Sequence, residues 1–371
     1  MKDEIVRRIN DMLLKSQQSA MIQGGVTTEE KLSTNIKAMP WKRITEAYKQ
    51  AIESFEDTGD SIWNNIPAFG QVVHTAIIKD NFDILDKVYS KPFDGDVYQG
   101  FDAVLANQIK RSKSEQKRLA GLVYKGLHRL TEAMGVVKVD NPERYYQIRS
   151  TIEVEELLTR IENKLGWRVE FPNPYPNEYG LWTERGVASF RAVQALYQAW
   201  RIKKELGGKA WTGVMEIGAG LGRTAYYANK LGLKDYTIID LPLVNVSQAH
   251  FLMSILRPGV VGLYNENIEG KEIRILPAQA FEQEVKKGRN YDLVLNTDSL
   301  TEMDKEVAIK YWQGIKQIAK VFVSINHEGN KFSVRDIMAG DKDVDSYIRY
   351  PYWMRTGYVE EIVRFKEKDY L

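Results

Sequence analysis

Residues Val214 to Tyr227 read VMEIGAGLGRTAYY, and shortly afterwards Tyr236 to Pro242 read YTIIDLP. The apolar run before Gly218 has the length of a buried strand. Gly218, Gly220 and Gly222 follow it within five positions, just before a helix-like stretch that opens near Arg223. Glycine tolerates positive φ and puts no Cβ between backbone and ligand, while a helix N-terminus presents unpaired N–H groups. Such a loop suits a polar ligand bearing a carboxylate or phosphate. Asp240 closes the second apolar run 22 residues after Gly218, near the spacing of about 20 residues at which an acid grips ribose hydroxyls. A nucleoside is the expected ligand.

Working outward, TGVMEI, YTIIDL, IRIL, YDLVLN and VFVSIN are short β-rich runs. They alternate with the helical stretches TAYYANKLG, LVNVSQAHFLMSIL and KEVAIKYWQGIKQIA. That alternation argues for βαβ crossovers and a parallel sheet covered on both faces. The expected class is α/β, a doubly wound, mostly parallel sheet over residues 171–371. Upstream the period is helical. Ile5, Ile9, Met12 and Leu13 share a face, as do Ile44, Tyr48, Ile52 and Phe55, and then Leu119, Leu122, Val123, Leu127 and Leu130. Residues 1–170 are therefore expected to form a mainly helical N-terminal domain. Between the two, EFPNPYPNEYG carries Pro172, Pro174 and Pro176 and cannot be helix or central strand. GVASFRAVQALYQAWRIKKELGG then reads as a helix stopped by Gly207 and Gly208.

Composition narrows the function classes. The 371 residues, 43% of them hydrophobic, are enough to bury a full core. With 52 Lys and Arg against 50 Asp and Glu, the net charge of +2 gives no electrostatic case for nucleic acid as a partner. The absence of cysteine excludes disulfides, thiol nucleophiles and cysteine-held zinc. The charged start MKDEIVRRINDMLL and the lack of an apolar run of about 18 residues point to a cytoplasmic protein without an integral membrane segment.

The dinucleotide fingerprint G-x-G-x-x-G, begun at Gly218, would need glycine where this chain has Arg223. A nicotinamide-dependent oxidoreductase is thus the alternative reading. With Glu216 in front, EIGAGLG resembles the first motif of the class I S-adenosylmethionine-dependent methyltransferases, whose fold is Rossmann-like. The stretch EIGAGLGRTAYYANKLGLKDYTIIDLP together with NTDSLTEM is similar to bacterial sugar O-methyltransferases, over roughly residues 178 to 330. The resemblance implies S-adenosylmethionine as methyl donor and a hydroxyl of a sugar, nucleotide sugar or glycan as acceptor, with another small hydroxylated metabolite as an alternative. It places Glu216 at the methionine amino group, Gly218, Gly220 and Gly222 against the methionine part, and Asp240 on the ribose. Arg223, Leu241, Gln279 and Asn296 are expected beside them as cofactor-binding residues.

Methyl transfer to oxygen needs in-line alignment and a sink for the hydroxyl proton. That sink is expected on the loops after YDLVLN and VFVSIN, where Asp298, Glu302 and His327 lie. Of the four histidines, only His327 directly follows a strand, and an unperturbed pKa of about 6.5 suits a general base. Asp298 competes for the role, and with Glu302 it offers hard oxygen ligands to a divalent metal, although no third carboxylate is apparent and a metal is not the favoured reading. The loop after YDLVLN lacks the N-P-P-Y type sequence of many amino methyltransferases, and the NPYP at Asn173 to Pro176 precedes the first strand. The aromatic stretches YGLWTERG and YIRYPYWMRTG either stack on a sugar or cover the sheet edge. The basic face of KRSKSEQKRLAGLVYK reads as solvated surface.

Overall fold

The computed structural model describes residues 39–53, 70–92, 113–139, 152–175, 178–207 and 213–367. In chain order the helices are α1 (Trp41–Glu53), α2 (Gln71–Ile78), α3 (Phe82–Ser90), α4 (Lys113–Ala133), α5 (Val154–Leu165), α6 (Phe190–Leu206), α7 (Arg223–Lys230), α8 (Pro242–Ile255), α9 (Ala280–Lys286), α10 (Lys305–Ile318) and α11 (Val334–Met338). The strands are β1 (Leu181–Thr183), β2 (Gly186–Ala188), β3 (Val214–Ile217), β4 (Tyr236–Asp240), β5 (Val261–Leu263), β6 (Ile273–Pro277), β7 (Tyr291–Thr297), β8 (Ala319–His327), β9 (Val344–Pro351) and β10 (Tyr358–Phe365).

Eight strands form one sheet in the order β5-β6-β4-β3-β7-β8-β10-β9. From β5 to β8 every pairing is parallel, whereas β10 runs antiparallel to both β8 and β9. This is a doubly wound, mostly parallel, Rossmann-like α/β sheet, as expected from the alternating runs. Among the described residues, every element before residue 170 is a helix. Strands buried on both faces read as continuous apolar runs, because helices cover both sides. All residues of β3 and β6 and the first six of β7 are accordingly buried. Met215, Ile217, Val294, Trp312, Phe322 and Val363 belong to a single core cluster.

The sheet winds outward in two directions from the β3/β7 pair: β4, β6 and β5 lie on one side, β8, β10 and β9 on the other. In open α/β sheets, ligands bind beyond the carboxyl ends of the strands at such a switch point. Here that point is flanked by the loop Gly218–Gly222 after β3 and the segment Asp298–Glu302 after β7.

The chain divides into two compact units, residues 33–103 with 198–371 and residues 1–32 with 104–197. This partition cuts across the boundary expected at residue 170. The sheet unit includes α1 to α3, because Trp41 and Tyr89 both stack on His250 of α8, at 5.2 and 4.7 Å, and Arg43 pairs with Glu266 at 2.7 Å. Ile44 and Tyr48 of the expected stripe are buried and Ile52 is half-buried; Phe55 lies outside the described residues, as do Ile5, Ile9, Met12 and Leu13.

The other unit holds α4, α5 and the β1–β2 hairpin, and α6 spans the division at Tyr197/Gln198. On α4, Leu119, Val123, Leu127 and Leu130 are buried as expected, but Leu122 is 39% exposed and off the stripe. Glu162 of α5 accepts from Arg185 Nε at 2.9 Å and from the backbone N–H of Val169 at 3.1 Å. The motif NPYP is a turn: the N–H of Tyr175 donates to Asn173 Oδ1 at 3.1 Å. No helix among the described residues is long and apolar enough to cross a membrane.

Candidate functional site

The glycine loop is shaped by its neighbours as much as by its own residues. Gly218, Gly220 and Gly222 all have positive φ, at 75°, 55° and 82°. A Cβ at Gly218 would fall 2.2 Å from Ser299 Oγ, so the loop after β7 packs directly onto the loop after β3. Gly220 is different: it is exposed, and a Cβ there would meet nothing within 4 Å. It is the position where a ligand can approach the backbone. Gly222 caps α7 from the left-handed region, and a Cβ there would crowd Leu252 at 3.1 Å. Arg223 opens α7, with its guanidinium 5.5 Å from the Phe251 ring centroid.

The two acids of the cofactor motif lie at different depths. Glu216, in the middle of the sheet, is only 2% exposed, and Tyr236 Oη donates to its Oε2 at 2.8 Å. Burial pushes its carboxyl up to about 7, against the opposing pull of the Tyr236 hydrogen bond. Thr224 Oγ1, at the start of α7, donates to Gln198 Oε1 at 2.6 Å. Glu216 is therefore tied to the neighbouring strand β4 through Tyr236.

Asp240 is half-buried at the end of β4. Its Oδ1 accepts from the N–H of Leu241 at 2.8 Å and its Oδ2 from Gln248 Nε2 at 2.7 Å. Burial raises this carboxyl to about 7, opposed by those bonds and by the N–H groups of Ala219 and Gly220. Gln248, fully buried, also donates to the carbonyl of Gly220 at 2.9 Å. Asp240 and Gln248 thus hold the loop in place at the carboxyl end of β4. Gln248 carried no signal in the sequence: its role depends on the exit angle of α8.

Two further cofactor candidates have side-chain amides engaged by the protein itself. Asn296 is fully buried. It donates to the carbonyl of Ile217 at 2.9 Å and to Ser299 Oγ at 2.5 Å, and it accepts from Asn326 Nδ2 at 3.0 Å and the N–H of Leu300 at 3.2 Å. It ties β3, β7 and β8 together beneath the loops. Gln279 precedes α9 and donates to the carbonyl of Ala51 at 2.6 Å, fastening α1 to the end of β6. Strand alternation decides the first case and helix packing the second, and neither is visible in a linear motif.

The three catalytic candidates do converge. Asp298 follows β7, Glu302 ends the 3-10 turn Leu300–Glu302, and His327 ends β8, the strand beside β7. Each is half-buried, and one donor atom from each lies within 4.8 Å of the others. Asp298 takes a φ of 51°, a conformation that aspartate tolerates better than most residues. Arg355 Nη1 pairs with Asp298 Oδ2 at 3.2 Å while its guanidinium lies 4.0 Å from the Tyr358 ring centroid. The His327 ring meets Tyr358 edge-on at 5.3 Å. Arg355 and Tyr358 were missed by sequence reasoning, since they arrive from the antiparallel strand β10 and the turn before it. The other histidines are structural: His74 bonds Tyr48 Oη at 2.8 Å, His128 lies 3.5 Å from Glu132, and buried His250 sits in the Trp41–Tyr89 stack, with burial lowering it to about 3.

No family model and no curated protein matches the chain. Solved structures do. A ribosomal protein L11 methylase from Lactobacillus delbrueckii subsp. bulgaricus is similar at 14% identity over 47% of this chain and 80% of that one, with a TM-score of 0.33. Magnesium protoporphyrin IX methyltransferase from Synechocystis PCC 6803, solved with bound SAM, gives 14% identity, 47% and 80% coverage and a TM-score of 0.32. A provisionally named O-methyltransferase from Nostoc punctiforme PCC 73102 gives 13%, 47% and 57%, with a TM-score of 0.34.

Proposed function

We propose that this chain is an S-adenosylmethionine-dependent O-methyltransferase whose acceptor is a hydroxyl of a sugar, nucleotide sugar or glycan. One observation carries the reading: an accessible glycine loop braced by Asp240 and a half-buried acid–imidazole cluster flank the same switch point of the sheet. The first suits the adenosyl and methionine parts of the donor, with Gly220 as the point of backbone approach and Asp240 on the ribose. The second suits a hydroxyl, which needs a proton acceptor before it can attack.

The acceptor oxygen bonds to the methyl carbon as the carbon–sulfur bond breaks, the electron pair stays on sulfur, and the hydroxyl proton leaves on the side of Asp298, Glu302 and His327. Sugar as the acceptor class is supported by the sequence resemblance and by Trp353, 44% exposed in the turn between β9 and β10. The neighbouring aromatics are engaged inside: Tyr350 Oη donates to Glu360 at 2.8 Å, and Tyr352 is buried.

The test is transfer of a labelled methyl group from S-adenosylmethionine to a panel of sugars, nucleotide sugars and oligosaccharides. The expected result is label on oxygen, with loss of transfer in Asp240→Ala. Label on nitrogen of a different acceptor, or a chain that binds NAD but not S-adenosylhomocysteine, would overturn the proposal.

A further inference from the structure

We propose that Arg355 is a positioning residue of the acceptor side: it holds the Asp298 carboxylate, and through the ring of Tyr358 the His327 imidazole, in the arrangement that takes the acceptor's proton. The tie stands on its own geometry; its purpose rests on the methyltransferase reading above.

Asp298, Arg355, Tyr358 and His327 form one chain of contacts. Asp298 stands just past β7, where its N–H still donates to the Ile325 carbonyl of β8 at 3.1 Å, and its φ of 51° then turns the chain out of the sheet. Its Oδ2 accepts from Arg355 Nη1 at 3.2 Å, across 57 positions of sequence. The guanidinium lies 4.0 Å from the centroid of the Tyr358 ring, well inside the reach of about 6 Å over which an aromatic face attracts a cation. Tyr358 opens β10 directly opposite His327 in the β8–β10 register, and the two rings meet 5.3 Å apart at 65°. One arginine thus touches, directly or through a single ring, both Asp298 and His327.

The turn that carries Arg355 is itself fixed. Tyr352 and Met354 are buried, whereas Trp353 between them is exposed. The N–H of Tyr352 donates to the carbonyl of Tyr358 at 2.8 Å, and the N–H of Arg355 to the carbonyl of Tyr352 at 3.3 Å. The guanidinium is therefore presented from an anchored backbone. Asp298 and His327 sit at strand ends, where a half-buried side chain keeps rotamer freedom unless a neighbour removes it. Arg355 and Tyr358 remove it during folding, before any acceptor arrives. A misplacement of about 1 Å in a reacting group can cost about 10²-fold in rate, so the tie matters to turnover. Arginine suits the position because a planar guanidinium can stack and pair at once, which a lysine ammonium cannot.

The experiment compares Arg355→Ala and Arg355→Lys, each alone and combined with Asp298→Asn, in methyl transfer, in S-adenosylhomocysteine binding and in the nuclear magnetic resonance of isotope-labelled histidine. The chain has four histidines, and the signal lost in His327→Gln identifies that of His327. Arg355→Ala is expected to move the His327 signal while those of His74, His128 and His250 stay in place, which also shows that the variant is folded. It should lower kcat by about 10²-fold with S-adenosylhomocysteine affinity unchanged, and Arg355→Lys should recover only part of the loss. In the Asp298→Asn background Arg355→Ala should cost much less than in wild type, because residues in contact are not additive. Wild-type kcat in Arg355→Ala, an unmoved His327 signal, full rescue by Arg355→Lys or an equal loss in both backgrounds overturns the proposal. A His327 signal that moves in Arg355→Ala, in a chain that neither binds S-adenosylhomocysteine nor transfers methyl, keeps the tie and removes the methyltransferase reading instead.

Discussion

The two loops at the switch point are built on opposite plans. After β3, the groups that shape the loop are satisfied from within: Glu216 by Tyr236, Asp240 by Gln248 and Leu241, and Gly218 by close packing on Ser299. After β7 and β8, Asp298, Glu302 and His327 are gathered from two loops within 4.8 Å of one another, with Arg355 paired to Asp298. On the proposed reading, the first is the donor side, preorganised by backbone and buried hydrogen bonds. The second is the acceptor side, whose titratable groups come from separate loops. Substitutions at the first should therefore disturb stability and cofactor affinity together, and those at the second should disturb turnover alone.

The largest effect is expected at Gly218. Gly218→Val forces a branched residue to positive φ and drives Cβ into Ser299. Left-handed strain and overpacking each cost about 1–3 kcal/mol. Urea denaturation should show a loss of several kcal/mol, and calorimetry no S-adenosylhomocysteine binding. Wild-type stability in this variant would break the close packing of the two loops.

On the acceptor side, His327→Ala is expected to lower turnover by ~10²- to 10⁴-fold while leaving stability and S-adenosylhomocysteine affinity within experimental scatter. If the cluster holds a cation, chelator should stop wild-type methylation and magnesium should restore it. Full turnover after chelation would leave His327 in the role of free base.

The third effect is a pH dependence specific to the donor side. The Glu216 carboxyl is raised to about 7 in the fold. The folded chain therefore holds a proton there that the unfolded chain releases at lower pH. The resulting stability is present below the unfolded value near 4.5 and is lost as pH rises through about 7. Relative to Glu216→Gln, wild type should lose about 2–3 kcal/mol of unfolding free energy between pH 5 and pH 8. A flat difference across that range would mean that Glu216 is not held in an apolar site.

Gly220 gives the smallest change in stability. Gly220→Ala meets no neighbour, so only the positive φ is penalised, about 1 kcal/mol. Its methyl group nevertheless projects where the donor is expected, and S-adenosylhomocysteine affinity should fall by more than the stability does. Equal small losses in both would mean that the ligand does not approach there.

Much of this architecture is written in the sequence as alternating apolar runs and helices. The expected runs TGVMEI, YTIIDL, IRIL, YDLVLN and VFVSIN all contribute strands of the sheet. The β9–β10 hairpin was not legible, and the reason is local. β10 reads YVEEIVRF, and its two glutamates interrupt the apolar pattern, yet Glu360 is fully buried and Glu361 is 4% exposed. Glu360 is bonded by Arg201 at 2.6 Å and Tyr350, and Glu361 by Tyr347 at 2.6 Å, partners 10 to 159 residues away in the chain. At the site, the glycine loop and Asp240 were readable from spacing. That Asp298 and His327 meet follows from the pairing of β7 with β8, which no local pattern encodes. Glu216 and Asn296 sit inside because β3 and β7 are central strands covered on both faces, a consequence of sheet position rather than of motif.

The most direct test of the account is calorimetric titration of the full chain with S-adenosylhomocysteine, with NAD as the comparison ligand. The expected result is saturable one-to-one binding of S-adenosylhomocysteine, weakened by at least ~10-fold in Asp240→Ala as charge-assisted hydrogen bonds of about 1.5–3 kcal/mol are lost, and no heat with NAD. Absence of S-adenosylhomocysteine binding in the folded wild-type chain, or binding that Asp240→Ala leaves untouched, would contradict the assignment of this switch point as a methyl-donor site.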